Sequence, residues 1–314
     1  MGDSAVHVWT AFVPAGSTLL SSPPRPNERP IGRGSAGERR VGLIGDWIES
    51  VRLDGPDRMK LNLVKKALAE GKVQYGVNFG QFRSQDVLKI LAQAGFHWAF
   101  IDTEHGGFGI ETIQDVCRIA ASVNFTPIVR VADLQYSLVA RALDCGAHGV
   151  IFPRVESVEL LDRAVSWARF PPAGVRGFGL NAFHFDHESL TMPQMIERVN
   201  RNTMVVLQIE TKRALEMRED LLAVPGIDAV MIGPADLSIS LGVPGEFQHP
   251  KMVEAMEAIR DTCNRRGIAP GTQTRTLALA KFWKERGMRF LGCSSDTGML
   301  FEKAKEIITA LDAS

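Results

Sequence analysis

The feature of this chain that most restricts its fold is a regular alternation of short apolar runs with longer amphipathic segments, which begins at Leu61. Each run is nearly continuous, as in a strand buried on both faces, and the segments between the runs have helical spacing. Glycines such as Gly95 and Gly146 close several segments, which is a common helix end. We therefore predict eight strands, at residues 73–79, 98–102, 126–131, 149–153, 205–210, 229–233, 268–272 and 289–293.

Strands joined by helices predict a parallel sheet that is covered by helices on both faces. Eight such units in about 250 residues fit a closed (β/α)8 barrel, the TIM barrel, better than an open doubly wound sheet. We therefore predict an α/β protein with one barrel domain over residues 59–314. The polar insertion at residues 181–202, before the fifth strand, is expected to add one helix.

Residues 1–58 differ from the rest, because the stretch from 17 to 40 is rich in Ser, Pro, Gly and Arg and lacks periodicity. We predict a disordered, low-complexity N-terminal extension there. It has no basic segment of a signal peptide, and its acidic and basic residues balance, which disfavours a transit peptide. Met59 opens a sequence that resembles a natural start, so this leader is expected to be dispensable or to lie upstream of the true start.

Charge and cysteine content narrow the classes of function. The 314 residues include 36 Lys and Arg and 36 Asp and Glu, so no basic excess exists for general nucleic-acid binding. No apolar run reaches the ~18–20 residues of a membrane span. The four cysteines lack C-x-x-C spacing, which disfavours a zinc ribbon or redox motif and favours reduced thiols in a cytoplasmic protein.

The active site of a (β/α)8 barrel lies at the C-terminal ends of its strands, so residues there are the first candidates for chemistry. Glu210 and Asp236 follow neighbouring predicted strands, and two such carboxylates repel each other unless a cation or proton lies between them. Hard oxygen ligands suit Mg²⁺ or Mn²⁺, with water and substrate completing the octahedron. The alternative role for Asp236 is a helix N-cap.

Two further residues suggest how a substrate carboxylate binds. Asp236 follows Gly233-Pro234-Ala235 at the start of a predicted helix, where backbone N–H groups bind anions. Gln208 lies on the same face of its strand as Glu210, because side chains alternate along a strand. Gln208 is therefore expected to hydrogen-bond the substrate, unless it is only a polar residue of the barrel interior.

His105 is the candidate general base, because an imidazole accepts a proton near neutral pH and Gly106-Gly107 leaves room for a ligand. Arg130 lies within an apolar strand, where a buried cation needs either an anionic ligand or a structural ion pair. Both readings stay open at this point, and Arg154 is placed similarly. No predicted strand core contains a lysine, which disfavours Schiff-base chemistry.

Six motifs lie at these strand ends and in the connecting segments: Asp102-Thr103-Glu104-His105-Gly106, Val129-Arg130-Val131, Leu143-Asp144-Cys145-Gly146-Ala147, Phe170-Pro171-Pro172-Ala173-Gly174-Val175-Arg176-Gly177, Gln208-Ile209-Glu210 and Ile232-Gly233-Pro234-Ala235-Asp236-Leu237-Ser238. Together they make the chain resemble the HpcH/HpaI aldolase/citrate lyase family over residues 61–311. The resemblance is greatest to the metal-dependent 4-hydroxy-2-oxoheptanedioate and 2-dehydro-3-deoxyglucarate aldolases. The leader has no counterpart in that pattern.

The resemblance implies a role for each matched residue. It makes His105 the catalytic base, with Asp144 raising the basicity of that histidine, and it makes Arg130 the group that stabilises a developing enolate. Glu210 and Asp236 hold the divalent metal, which is Mg²⁺ or Mn²⁺, with Co²⁺ as a further candidate. Members of the family form homo-oligomers, which are hexamers. Neighbouring subunits exchange their last helix, which here lies near residues 301–311. The residues implied to contact the bound 2-oxo acid are Gln208, Ala235 and Asp236.

The implied reaction is that of a class II aldolase, which cleaves a 4-hydroxy-2-oxo acid reversibly to pyruvate and an aldehyde through a metal-stabilised pyruvate enolate. Residues 178–185 and 273–275 depart from the family's usual sequence and are expected to meet the aldehyde, so sugar-acid and dicarboxylate substrates stay open. Three alternatives also stay open: a CoA-ester lyase of the same superfamily, an oxo-acid decarboxylase, and an inactive small-acid-binding or assembly subunit.

Overall fold

The structure, a computed structural model, describes residues 61–313. The predicted leader at residues 1–58 lies outside that range, and the predicted domain boundary at residue 59 stays a prediction. The strands are β1 Gln74–Phe79, β2 Trp98–Asp102, β3 Thr126–Arg130, β4 Gly149–Phe152, β5 Met204–Ile209, β6 Ala229–Ile232, β7 Ala269–Thr274 and β8 Phe290–Ser295. The helices are α1 Leu63–Ala69, α2 Gln85–Gln93, α3 Ile110–Ser122, α4 Tyr136–Asp144, α5 Val158–Trp167, α6 Met192–Asn202, α7 Lys212–Glu216, α8 Arg218–Leu221, α9 Pro234–Ser240, α10 Pro250–Arg265, α11 Leu277–Glu285 and α12 Asp296–Asp312.

The eight strands form a closed barrel in chain order, and every neighbouring pair, including β8 with β1, is parallel. The predicted (β/α)8 barrel is therefore confirmed. β2, β3, β4, β5 and β6 are buried at every residue, as expected for strands covered on both faces. No helix within residues 61–313 is long and apolar enough to cross a membrane.

Two layers of apolar side chains hold the barrel together. One layer lies between the strands and the surrounding helices, and the other fills the barrel interior. In the interior, Trp98 stacks on Phe290 with 4.0 Å between ring centroids. Gly76 makes room for this pair, because a Cβ atom there would lie 2.1 Å from the indole ring of Trp98. A larger residue at position 76 would therefore displace the central aromatic pair.

Helix α1 packs against the interior layer at the N-terminal end of the barrel. Val64 and Leu68 belong to the same apolar cluster as the inward-facing strand residues. Asn62 caps the helix by accepting the N–H of Lys65, and its amide donates to the carbonyls of His148 and Asn202. These contacts join the first described residues to segments that precede β4 and β5, so α1 is part of the barrel domain.

The insertion before β5 contains the predicted helix, α6, and also a short 3₁₀ helix at Ala182–Phe185. The insertion shares a small core with the segment before it, and this core includes Phe170, Phe185 and Val199. Strands β7 and β8 each continue two residues beyond the predicted ends. Their last residues are polar, so the apolar pattern stops before the backbone pairing does.

Candidate active site

Six of the seven predicted site residues line one cavity of about 520 Å³ at the C-terminal ends of the strands. We call it the C-terminal cavity. Its walls come from residues at the ends of β1, β3, β5, β6, β7 and β8 and from the loop after β2. The barrel therefore brings together predicted site residues that are up to 131 residues apart in the chain. The six residues are His105, Arg130, Gln208, Glu210, Ala235 and Asp236.

Glu210 follows β5 and is 3% exposed. Its Oε1 accepts the backbone N–H of Arg154 at 2.8 Å, and its Oε2 accepts from the side-chain amide of Gln208. Arg154 has a φ of 52°, a left-handed conformation that is uncommon for a residue other than glycine. The contribution of Arg154 is thus a backbone donor, which sequence reasoning did not identify, because a positive φ at this position has no signal in the residue type.

Asp236 lies close enough to Glu210 to influence the ionisation of the Glu210 carboxyl. Burial raises the pKa of the Glu210 carboxyl, and the neighbouring charge of Asp236 raises it further, while the bonds from Gln208 and Arg154 act in the opposite direction. Asp236 is exposed and lies in the first turn of α9. The N-cap of that helix is Gly233, so the alternative that Asp236 is the N-cap is wrong.

The two carboxylates fit a divalent ion that binds oxygen. Each oxygen of Glu210 accepts one hydrogen bond and keeps a second lone pair for a ligand bond. Gly233 lies directly behind this carboxylate, because a Cβ atom there would be 2.8 Å from Glu210 Oε2. Gln208 Oε1 is buried without a hydrogen-bond partner. Within residues 61–313 no group of three or more His, Cys, Asp or Glu side chains forms a metal site, so water and substrate would supply the other ligands.

Arg130 ends β3 and is held by two carboxylates. Its Nε and Nη2 donate to the two oxygens of Asp102 at 3.0 and 2.7 Å, and its Nη1 lies 3.0 Å from Glu104 Oε2. The guanidinium also lies over the ring of Phe100. Arg130 is therefore part of a structural ion pair and also lines the C-terminal cavity, so the two readings of this residue are compatible.

Asp102 and Glu104 contact Arg130, and sequence reasoning gave neither residue a role at the site. Asp102 Oδ1 also accepts the backbone N–H groups of Glu104 and His105, at 3.1 and 3.2 Å. One carboxylate thus orients both Arg130 and the turn that carries His105. A signal for it was available, since Asp102 and Arg130 are the paired final residues of β2 and β3, and opposite charges on adjacent strands attract.

His105 lies in the loop after β2 with its side chain 64% exposed. Its Nε2 is 3.9 Å from Glu104 Oε1, which is too long for a hydrogen bond. The imidazole is therefore accessible from the C-terminal cavity and is oriented mainly by its backbone. A base in this position can reach a substrate hydroxyl without first losing a protein partner.

Asp144 does not meet His105 within one chain. It ends α4, five residues before Gly149 begins β4, and so lies towards the opposite end of the barrel from the loop after β2. Its Oδ1 accepts from Arg176 at 2.7 Å, and its backbone carbonyl lies 3.2 Å from His184 Nε2. The prediction that Asp144 supports His105 is therefore not met by contacts inside a single chain.

Comparisons with known proteins agree with this geometry. The HpcH/HpaI aldolase/citrate lyase family matches residues 77–302. The chain is 34% identical over 252 residues to a 4-hydroxy-2-oxo-heptane-1,7-dioate aldolase of Salmonella dublin, which covers 80% of this chain and 95% of that protein.

Solved structures show the same relationship. The HpcH/HpaI aldolase of Desulfitobacterium hafniense DCB-2 has a TM-score of 0.75 at 31% identity, covering 79% of this chain and 95% of that one. A family protein of Burkholderia cenocepacia J2315 has a TM-score of 0.72 at 29% identity, covering 80% and 99%. The predicted family is thus confirmed: with its parallel barrel and its paired carboxylates at the strand ends, this chain belongs to the HpcH/HpaI aldolase/citrate lyase family of carbon–carbon lyases.

Proposed function

We propose that the protein is a divalent-metal-dependent aldolase, which reversibly cleaves a 4-hydroxy-2-oxo acid to pyruvate and an aldehyde. The observation that carries the proposal is the shared cavity, in which the paired acids Glu210 and Asp236 face the same space as Arg130 and His105. Support comes from the aldolase name of the relatives that are 34% identical over four fifths of the chain. The four groups supply the charges and the base that retro-aldol cleavage needs.

Glu210 and Asp236 would hold the cation, which we propose to be Mg²⁺ or Mn²⁺, with Co²⁺ also suited to this donor set. When bound, such an ion supplies the positive charge that polarises the 2-oxo group of the substrate. Gln208, beside Glu210, keeps that carboxylate in place through its amide. We propose that Gln208 and the backbone of Ala235, which begins the first turn of α9 with Pro234 and Asp236, contact the 2-oxo acid.

Each remaining residue has a defined part in the bond cleavage. His105 removes the proton of the C4 hydroxyl, the C3–C4 bond breaks, and the aldehyde leaves with the new carbonyl at C4. The electron pair of the broken bond passes to the pyruvate unit as an enolate, which takes up a proton at C3 to give pyruvate. Arg130 stabilises that negative charge, and its position is maintained by Asp102 and Glu104. In the reverse direction, the enolate adds to the aldehyde and His105 returns the proton.

We propose that the protein acts in the cytoplasm as a homo-oligomer and that this oligomer is a hexamer. Helix α12 supports an assembly, because Leu300, Phe301 and Ile308 are 60%, 69% and 58% exposed along its surface. An assembly also offers the route by which Asp144 could reach an imidazole, from a second copy of the chain. The four cysteines are free thiols, as is usual in a reducing compartment.

The decisive experiment incubates the protein with pyruvate and a panel of aldehydes, with Mg²⁺ or Mn²⁺ and with excess chelator. We expect aldol product only with metal, and Asp236→Asn should abolish product formation while the protein stays folded. Asp162→Asn, an exposed acid on α5, is the matched control and should behave as the wild type. Full activity in chelator, or borohydride trapping of a pyruvate imine, would contradict the proposal.

Two further arms of the same experiment separate the alternatives. Turnover of an acyl-CoA would favour the CoA-ester lyase, and release of carbon dioxide from oxaloacetate without any aldehyde reaction would favour the decarboxylase. Metal-dependent binding of pyruvate with no turnover in any arm would favour the inactive binding subunit.

A further inference from the structure

The wall of the C-terminal cavity that comes from β7 and β8 differs from the acidic wall opposite. It consists of Gln273, Thr274 and Arg275 from the end of β7, and Ser294 and Ser295 from β8. Active sites of such barrels lie at this C-terminal face. The amide, hydroxyl and guanidinium groups of this wall can therefore hydrogen-bond a polar part of the substrate.

Arg275 is the residue of this wall that carries charge. It is exposed, it lines the cavity, and it forms none of the hydrogen bonds or ion pairs found among residues 61–313. Arg130, the other arginine of the lining, is already paired with Asp102 and Glu104. Glu302 also lines the cavity but makes no ion pair with Arg275. Arg275 is therefore the cation of the cavity that is available to an anionic ligand.

The position of Arg275 separates it from the groups that bind the 2-oxo acid. Ile232 at the end of β6 pairs with Thr272, and β7 continues to Thr274 before Arg275 follows. Adjacent strands are about 4.8 Å apart. Arg275 therefore follows a strand that lies next to β6, which precedes Asp236, and two strands from β5, which precedes Glu210. The wall beneath it is fixed, because Gln273 Nε2 donates to the carbonyl of Ser294 at 2.9 Å.

We propose that Arg275 determines which aldehyde the enzyme accepts, by binding a carboxylate on the part of the substrate that leaves as the aldehyde. This inference rests on the proposed aldolase function and adds to it a residue that selects the second substrate. A guanidinium binds a carboxylate through two parallel N–H···O bonds, which an uncharged aldehyde cannot form. The preference for acidic aldehydes is then a property of one exposed side chain rather than of the catalytic groups.

The test compares two aldehydes of equal chain length, succinate semialdehyde and butanal, in aldol addition to pyruvate with Mn²⁺. The quantity measured is the ratio of kcat/KM for the acidic aldehyde to that for the uncharged one. Arg275→Met should lower this ratio about 10- to 100-fold, mainly through the KM of the acidic aldehyde. Arg275→Lys should restore part of it, because a charge without the planar fork remains.

Lys281→Met is the matched control, because it removes the same charge from an exposed residue of α11 that does not line the cavity. It should leave the ratio unchanged. An unchanged ratio in Arg275→Met, or an equal fall in Lys281→Met, would overturn the role of Arg275 while the aldolase function stands. If the wild type consumes neither of these two but does consume another aldehyde of the panel, the role of Arg275 fails while the aldolase function stands. If it consumes no aldehyde of the panel, both fail.

Discussion

Gly233→Ala tests whether the tight packing behind Glu210 is needed for function. A Cβ atom at position 233 would lie 2.8 Å from Glu210 Oε2 and 2.9 Å from Glu210 Cβ. Since ordinary contacts begin near 3.4 Å, Glu210 has to retreat by about 0.6 Å. It cannot do so freely, because Arg154 and Gln208 hold its two oxygens. Overpacking of this kind costs about 1–3 kcal/mol of stability.

The effect on catalysis should be comparable in free energy with the effect on folding. A misplacement of about 1 Å can cost on the order of 10²-fold in rate, so we expect roughly a tenfold loss of kcat/KM and weaker Mn²⁺ binding in Gly233→Ala. Pyruvate turnover and Mn²⁺ titration measure the two effects, and thermal melting measures stability. Gly109→Ala is the control, since a Cβ atom there meets only the end of the exposed Glu111 side chain, at 3.0 Å. Wild-type turnover and Mn²⁺ affinity in Gly233→Ala would show that the position of Glu210 does not matter.

Three other predictions follow from the same contacts. His105→Ala should lower the rate of aldol cleavage about 10²–10⁴-fold while pyruvate and oxalate still bind. Asp144→Asn should give a smaller loss of rate. Turnover and binding assays on both variants test whether His105 is the base. A chain that begins at Met59 should have the melting temperature and the assembly of the full chain. A chain that begins at Gly71 lacks α1 and should lose roughly 3–6 kcal/mol of stability, because Val64 and Leu68 are no longer buried. Burial raises the pKa of Glu210, so the protonated carboxyl stabilises the fold below about pH 4.5, and this stabilisation is lost as the pH rises through the folded pKa. In chelator, the free energy of unfolding of Glu210→Gln should therefore increase relative to that of the wild type as the pH rises. Denaturant titrations at several pH values measure this difference.

The strand positions could be predicted because each strand is a local pattern. An apolar run that a helix follows is visible without any knowledge of its partners, and β2 has the predicted bounds of residues 98–102. The barrel then places all strand ends at one rim, so the sequence order alone indicates that Glu210 and Asp236 are neighbours. The ends of β7 and β8 were predicted two residues short, because backbone pairing there continues through polar residues.

The contacts that orient the site depend on side chains far apart in the chain. Asp296 shows this, since its Oδ2 accepts the N–H groups of Gly80, Gln81 and Phe82 and so joins the start of α12 to the loop after β1. No local pattern identifies an acceptor for donors more than 200 residues away.

Hydrophobic periodicity and the direction of parallel strands were enough to predict the barrel, the order of its strands and the residues that reach its C-terminal rim. The partners of those residues become apparent only in the folded chain. It pairs Arg130 with Asp102 and Glu104, aims the backbone of Arg154 at Glu210, and leaves Arg275 without an ion pair among the described residues. Hydrogen bonds and ion pairs depend on distances of a few tenths of an ångström, and packing fixes such distances only after the whole barrel has closed.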